Sequence, residues 1–311
     1  VRQVGLIGLG SMGGAVGRRL LDRGIALHVF DIDASSIAKF VSRGAIGHVC
    51  ARDLAHHAEV VLTCLPTTEG SLVARMGQDG IIGGRVAKYV VELSTVGPSA
   101  AAEQADLLAK VGIRSIDAPV SGGPHSAENG QLTVMVGGPE ANLQAVRPLL
   151  EAIGAVVVHV GPNVGDGQRM KLINNLLAAS NIANSFEALA LGVRMGLTPP
   201  AMVDVIGRSS GANTGFSARR IAAVTSRSFE YGGKIALFEK DIALVRSEAL
   251  ALGFPFDSML ALAGVVSRWR VASERGLSDQ DLSMLMTVIE DETGVSVIDG
   301  AERIPSKTQD S

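Results

Sequence analysis

The stretch VGLIGLGSMGGAVGRRLLDRGIALHVFD, residues 4–31, decides how the first half of the chain is read. Val4–Ile7 is an apolar run of strand length, and Met12–Arg23 has the spacing of an amphipathic helix closed by Gly24. A second apolar run, Ala26–Asp31, follows. Between the first strand and the helix stands Gly8-x-Gly10-x-x-Gly13. Gly8 permits a tight turn, Gly10 lets backbone approach a pyrophosphate, and Gly13 lets helix pack on strand while the helix N-terminus faces the anion. Leu9, Ser11 and Met12 complete the cofactor-facing turn. Asp31, 21 residues beyond Gly10, ends the second strand and is placed to accept from the adenosine ribose hydroxyls. Its carboxylate would repel a 2′-phosphate, and Phe30-Asp31-Ile32-Asp33 brings no Arg or Lys to neutralise one, so NAD is expected rather than NADP. A glycine turn used only for packing, and Asp31 as a helix cap, are the plain alternatives.

Working outward, strand-like runs at 59–65, 89–93 and 113–118 alternate with helical patterns at 34–44 and 98–111, the pattern of βαβ units and a parallel sheet. Such sheets bind ligands at the carboxyl ends of their strands. After a last run at 155–160 the strand signal fades. Residues 165–195 read as one long Ala- and Leu-rich helix, and helical patterns continue to about 292. The expected architecture is an α/β Rossmann-type dinucleotide-binding domain over 1–162 and an all-helical domain over 163–295, joined through the long helix. Residues 296–311 lack apolar periodicity and are expected to be a loose tail.

Composition narrows the class of function. The 311 residues are 47% apolar and 19% charged, as in a globular protein. The formal charge is −3 with scattered basic residues, and there are only 8 Phe, 2 Tyr and 1 Trp, which argues against a nucleic-acid surface. The 37 glycines exceed the usual share of roughly 7% and ask for many turns and close backbone approaches. Cys50 and Cys64 form no CxxC, and the six histidines form no HExxH, so no metal is expected and a reducing, cytoplasmic setting fits. No apolar run reaches 18 residues and no leader pattern precedes the first strand; the expectation is a protein without a membrane span or export signal.

Two segments carry candidate chemistry. Asp117-Ala-Pro-Val-Ser121-Gly122-Gly123 ends a strand with a small hydroxyl and glycine N–H groups that can hold a carboxylate. On the long helix Lys171, Asn174 and Asn175 share a face, and a lysine within MKLINNLLAA is expected to be partly desolvated, which lowers its pKa toward that of a general base. By itself Lys171 could equally be a solvated helix lysine.

In order and spacing, GLIGLGSMGGAVGRRLLDRG at 5–24, CLP at 64–66, LSTVGP at 93–98, DAPVSGG at 117–123, GQRMKLINN at 167–175 and FEKDIALV at 238–245 resemble the β-hydroxyacid dehydrogenases. These include 3-hydroxyisobutyrate dehydrogenase and tartronate semialdehyde reductase. The resemblance spans about residues 3–292. It implies an NAD-dependent oxidoreductase of small 3-hydroxy acids, with Lys171 as catalytic acid/base. Ser121, Gly122, Gly123, Asn174 and Asn175 would hold substrate, and Leu65, Pro66, Thr95 and Lys240 would line the cofactor. It also implies a homodimer or homotetramer. Asp241 after Lys240 is expected to stabilise its helix or to reach substrate. The chain departs from the family after SGG, where Pro124-His125-Ser126-Ala127 replaces a common Gly-Ala pair. His125 is expected in a loop as a specificity or surface residue rather than an acid/base, and Arg219 and Arg220 on a solvated helix face, with a second anionic group of the substrate as their alternative partner. Rival readings are an imine reductase, which usually lacks the lysine, and a dinucleotide-binding protein without catalysis.

Overall fold

A computed structural model describes residues 3–298. The chain divides into two compact units, with the division between Ile173 and Asn174.

The first unit runs β1 (Val4–Ile7), α1 (Ser11–Asp22), β2 (Leu27–Phe30), α2 (Ala34–Val41), β3 (Ile46–Gly47), α3 (Ala51–Ala55), β4 (Val60–Thr63) and α4 (Thr68–Met76). It continues β5 (Tyr89–Glu92), α5 (Pro98–Ala109), β6 (Arg114–Asp117), β7 (Val120–Ser121), α6 (Gly123–Glu128), β8 (Leu132–Gly137), α7 (Glu140–Ile153) and β9 (Gly154–Gly161), and the first turns of α8 (Asp166–Arg194). The sheet order is β3-β2-β1-β4-β5-β6-β8-β7, with β9 beside β8. From β3 to β6 every pairing is parallel; β8 runs antiparallel to β6 and β7, and β9 parallel to β8.

Successive strand residues point to opposite faces, and both faces are covered. Leu6, Leu62, Val91 and Ile116 lie in one core with Val16 and Leu20 of α1; Ile7, Val61 and Val90 lie in another with Leu54 of α3 and Leu108 of α5. This double cover explains the continuous apolar strands read from sequence. It also aligns the carboxyl ends of β1, β4, β5 and β6, from which the cofactor and substrate segments emerge.

The second unit holds the rest of α8, then α9 (Pro199–Ile206), α10 (Ala218–Thr225), α11 (Ile235–Ala251), α12 (Leu260–Glu274) and α13 (Leu285–Thr293). Phe186, Val224, Trp269, Leu285 and Met286 are at its centre, and Trp269 Nε1 donates to Ala179 O at 3.2 Å. By length and composition α8 could cross a bilayer, with half of its most apolar window buried in the protein; Ala179, Ile182, Ala183, Phe186 and Leu189 are core residues. Residues 296–298 do not form the start of a loose tail. Val295 and Val297 are buried in the helical core, and Val297 N donates to Glu290 Oε1 at 2.9 Å. Residues 299–311 of that expected tail lie outside the described residues.

Candidate active site

The turn after β1 has the form a dinucleotide needs. Gly8 has φ +94°, and a Cβ there would strike Cys64 O; a Cβ on Gly13 would strike Gly8 O, so both must be glycine. A Cβ on Gly10 meets nothing within 4 Å, which leaves open space at the N-terminus of α1, whose first N–H groups have no side-chain cap. Leu9, Ser11 and Met12 complete this turn. Asp31 follows β2, and its carboxylate accepts from Leu9 N at 2.6 Å and from Asp33 N at 2.9 Å. One bond falls on each oxygen, and a carboxylate oxygen can accept a further bond, so ribose hydroxyls can be served. Asp33 is the cap of α2: it accepts from Ser35 and Ser36, which hold its carboxyl down at about 2. Turn, helix N-terminus and carboxylate therefore fit a dinucleotide.

Leu65 and Pro66 follow β4, Thr95 follows β5, and Ser121, on β7, precedes Gly122 and Gly123. Gly122 has φ +135° and would crowd Ser126 if it carried a Cβ. The segment after it is the helix α6 rather than the expected loop, because Pro124 sits in the first turn, where its fixed φ suits a helix and its missing N–H costs nothing. His125 is exposed on α6.

Behind these loops lies a buried polar chain that the sequence reading missed. Asp117, at the end of β6 and 0% exposed, accepts from Gly165 N at 2.7 Å and Gln168 N at 2.6 Å, fixing the start of α8. Burial pushes its carboxyl up to about 6, against the lowering effect of those N–H bonds. Gln168 Oε1 accepts from Val96 N and Gly97 N at 2.9 and 3.1 Å, while its Nε2 donates to Ser94 O at 2.9 Å. Ser94 Oγ accepts from Leu65 N at 2.7 Å, and Ser94 N donates to Glu92 Oε1 at 2.9 Å. Glu92 is paired with Arg75 at 2.9 Å, both almost wholly buried, with Thr63 and Ser71 also bonded to the carboxylate. Removing one partner of such a pair costs about 3–5 kcal/mol. The chain ties the 65–66 and 94–97 segments to the turns of α8 that carry half-buried Lys171, three residues beyond Gln168. It also explains why the first unit extends to Ile173 rather than ending near 162. A glutamate inside the strand run YVVE is the signal that could have revealed it.

In the second unit Asn174 Nδ2 donates to Asn175 Oδ1 at 3.1 Å, and Asn175 Nδ2 to Asp241 Oδ2 at 2.6 Å; Lys240 Nζ lies 2.8 Å from Asp241 Oδ1. Buried Asp241 thus holds both Asn175 and Lys240, a linking role beyond helix stabilisation. Arg219 is exposed, but Arg220 is buried instead of solvated. Its guanidinium lies 3.9 Å from the Tyr231 ring centroid and donates to Thr214 O at 2.7 Å.

A family profile described as the NAD binding domain of 6-phosphogluconate dehydrogenase matches residues 3–161. A second, described as the NAD-binding of NADP-dependent 3-hydroxyisobutyrate dehydrogenase, matches residues 165–289. The 2-(hydroxymethyl)glutarate dehydrogenase of Eubacterium barkeri is 34% identical, the match covering 96% of this chain and 98% of that protein. The chain belongs to the 3-hydroxyisobutyrate dehydrogenase-like β-hydroxyacid dehydrogenase family. The chain is also 33% identical to an NAD-dependent L-serine dehydrogenase of Pseudomonas aeruginosa, over 94% of this chain and all of that one. The crystal structure of a 3-hydroxyisobutyrate dehydrogenase from Salmonella typhimurium aligns with TM-score 0.83 and 29% identity, covering 93% of this chain and 100% of that chain. The family is one of NAD(P)-dependent 3-hydroxyacid dehydrogenases.

Proposed function

We propose that the protein oxidises a small acid carrying a hydroxyl β to its carboxylate, giving the semialdehyde or oxo acid, with NAD preferred over NADP and Lys171 as general acid/base. The observation that carries this reading is the clamp formed by Asp117 and Gln168. It fixes the start of α8 against the cofactor-lining loops, so Lys171 is set by the same residues that shape the cofactor end of the sheet. The relatives' names agree in chemistry, since 2-(hydroxymethyl)glutarate and serine both bear a hydroxymethyl group on the carbon next to a carboxylate.

Ser121 and the N–H groups of Gly122 and Gly123 receive the substrate carboxylate. Asn175, held by Asp241, orients the hydroxyl, with Asn174 beside it. Neutral Lys171 takes the hydroxyl proton on Nζ as the carbinol carbon loses its hydride; in the reverse direction protonated Lys171 returns it. The bound nicotinamide supplies the hydride acceptor. Lys240, paired with Asp241 within the second unit, is assigned to the cofactor by its resemblance to the family. Asp31 supports NAD because its carboxylate stands where a 2′-phosphate would add charge.

Assembly as a homodimer or homotetramer is supported by the exposed apolar stripe Met170, Ile173 and Leu177 on α8. The test of the function is a panel of short hydroxy acids and semialdehydes with both cofactors. Lys171→Ala should lower turnover on the best substrate by at least about 100-fold with NADH affinity retained. Full activity in that variant would overturn the assignment.

A further inference from the structure

We propose that His48, Asp53 and His57 form a binding site for a divalent transition cation of the zinc class, built on residues that the dehydrogenase reaction does not use. Three imidazoles gather here from separate elements: His28 on β2, His48 after β3 and His57 after α3, with Asp53 on α3 itself. Their ring centroids are 5.0 Å (His28–His48), 5.0 Å (His48–His57) and 5.9 Å (His28–His57) apart. The three ligands fall within ten residues, Asp53 and His57 at i,i+4, while the pairing of β2 with β3 brings His28 beside them.

With the Gln3 amide oxygen turned toward His28, the hydrogen-bond directions favour a positive charge at His48. Gln3 Oε1 lies 2.8 Å from His28 Nε2, and an amide oxygen only accepts, so this nitrogen carries the proton and a neutral His28 presents Nδ1 as an acceptor. His28 Nδ1 lies 2.8 Å from His48 Nε2, which must then be the donor. In a neutral ring that leaves His48 Nδ1 as a bare lone pair, and it faces Asp53 Oδ2 at 2.9 Å. Two lone pairs at that distance repel unless a positive charge lies between or beside them.

A metal ion meets that requirement with more ligands than a proton can join. One donor atom from each of His48, Asp53 and His57 lies within 4.8 Å of the others; His57 Nδ1 donates to Asp53 O at 2.9 Å, so His57 ligates through Nε2 or gives up that bond when the ion enters. Tetrahedral zinc with bonds of about 2.0–2.1 Å puts its ligands roughly 3.3–3.4 Å apart, so movements of about an ångström close the site. Two nitrogens and a carboxylate oxygen suit zinc and its neighbours better than calcium or magnesium. Buried His28, with exposed Gln3 behind it, would be the outer partner that fixes the His48 tautomer. Asp53 and His57 are 37% and 53% exposed, which opens a path for the ion and a fourth position for water. Cys50 is engaged otherwise, its sulfur accepting from Asp53 N at 3.3 Å.

The experiment uses untagged, chelator-treated full-length protein. Zinc is titrated by calorimetry and cobalt by visible absorption. One equivalent should bind in the micromolar range and raise Tm, with the tetrahedral cobalt bands showing nitrogen and oxygen ligation. His57→Ala, at an exposed position, should weaken binding by at least about 10–100-fold while keeping the native circular dichroism, and Asp53→Asn should do the same. Absence of stoichiometric uptake, binding only at millimolar metal, or equal binding by His57→Ala would each overturn the proposal. So would a doubly protonated His48 that takes up no zinc.

Discussion

Asp31 does two jobs with one carboxylate. It holds the glycine turn through Leu9 N and, in the function proposed above, presents negative charge to the adenosine ribose. Asp31→Asn keeps an acceptor for Leu9 N but removes the charge, so it isolates the electrostatic part of cofactor choice. The ratio of kcat/KM for NAD over NADP should fall by about 10–100-fold, which corresponds to roughly 1.4–2.8 kcal/mol of relieved repulsion. An unchanged ratio would remove Asp31 as the selecting residue. This residue was legible in the sequence because its position 21 residues after Gly10, at a strand end, has a chemical reason. Arg220 was not legible: a pair of arginines on a helix reads as solvated surface, and only the fold brings Tyr231 under the second guanidinium.

At the scale of elements, the tie between β6 and α8 makes a titratable anchor. Asp117 has a folded-state pKa of about 6 against an ordinary value of 3.8. The native protein therefore binds this proton more tightly than the unfolded chain. The resulting stabilisation is fully present below about 3.8 and is lost as pH rises through about 6. Relative to Asp117→Asn, the wild type should gain on the order of 3 kcal/mol between neutral pH and pH 3.8, read from urea unfolding midpoints of both proteins at each pH. A constant difference across that range would contradict the raised pKa.

Elements with a continuous apolar run, such as β1 and β5, or with a long helical pattern, such as α1 and α8, are readable because the pattern is local. Others were missed for physical reasons. α3 has five residues and β3 two, too short for a period to show. α4 contains a glycine and is started by the Thr67 side chain accepting from Gly70 N. The Leu132–Gly137 run of β8 is apolar throughout, yet its antiparallel direction rests on partners far along the chain.

Across the molecule, the residues proposed to touch cofactor and substrate stand in motifs, whereas the residues that hold those segments in place do not. Gln168 and Glu92 make sense only once 94–97 and α8 are adjacent. The bonds from Gln168 to Ser94, Val96 and Gly97 span 71–74 residues, and those from Asp117 to Gly165 and Gln168 span 48 and 51. Closing such loops costs entropy that strand pairing must offset first. Dehydrogenase activity should accordingly disappear at lower urea than the helical circular-dichroism signal and return after it on refolding; coincident transitions would place the clamp within the global unfolding unit. Catalytic competence is then a late acquisition of the folding chain, gained after its sheet and helices are already assembled.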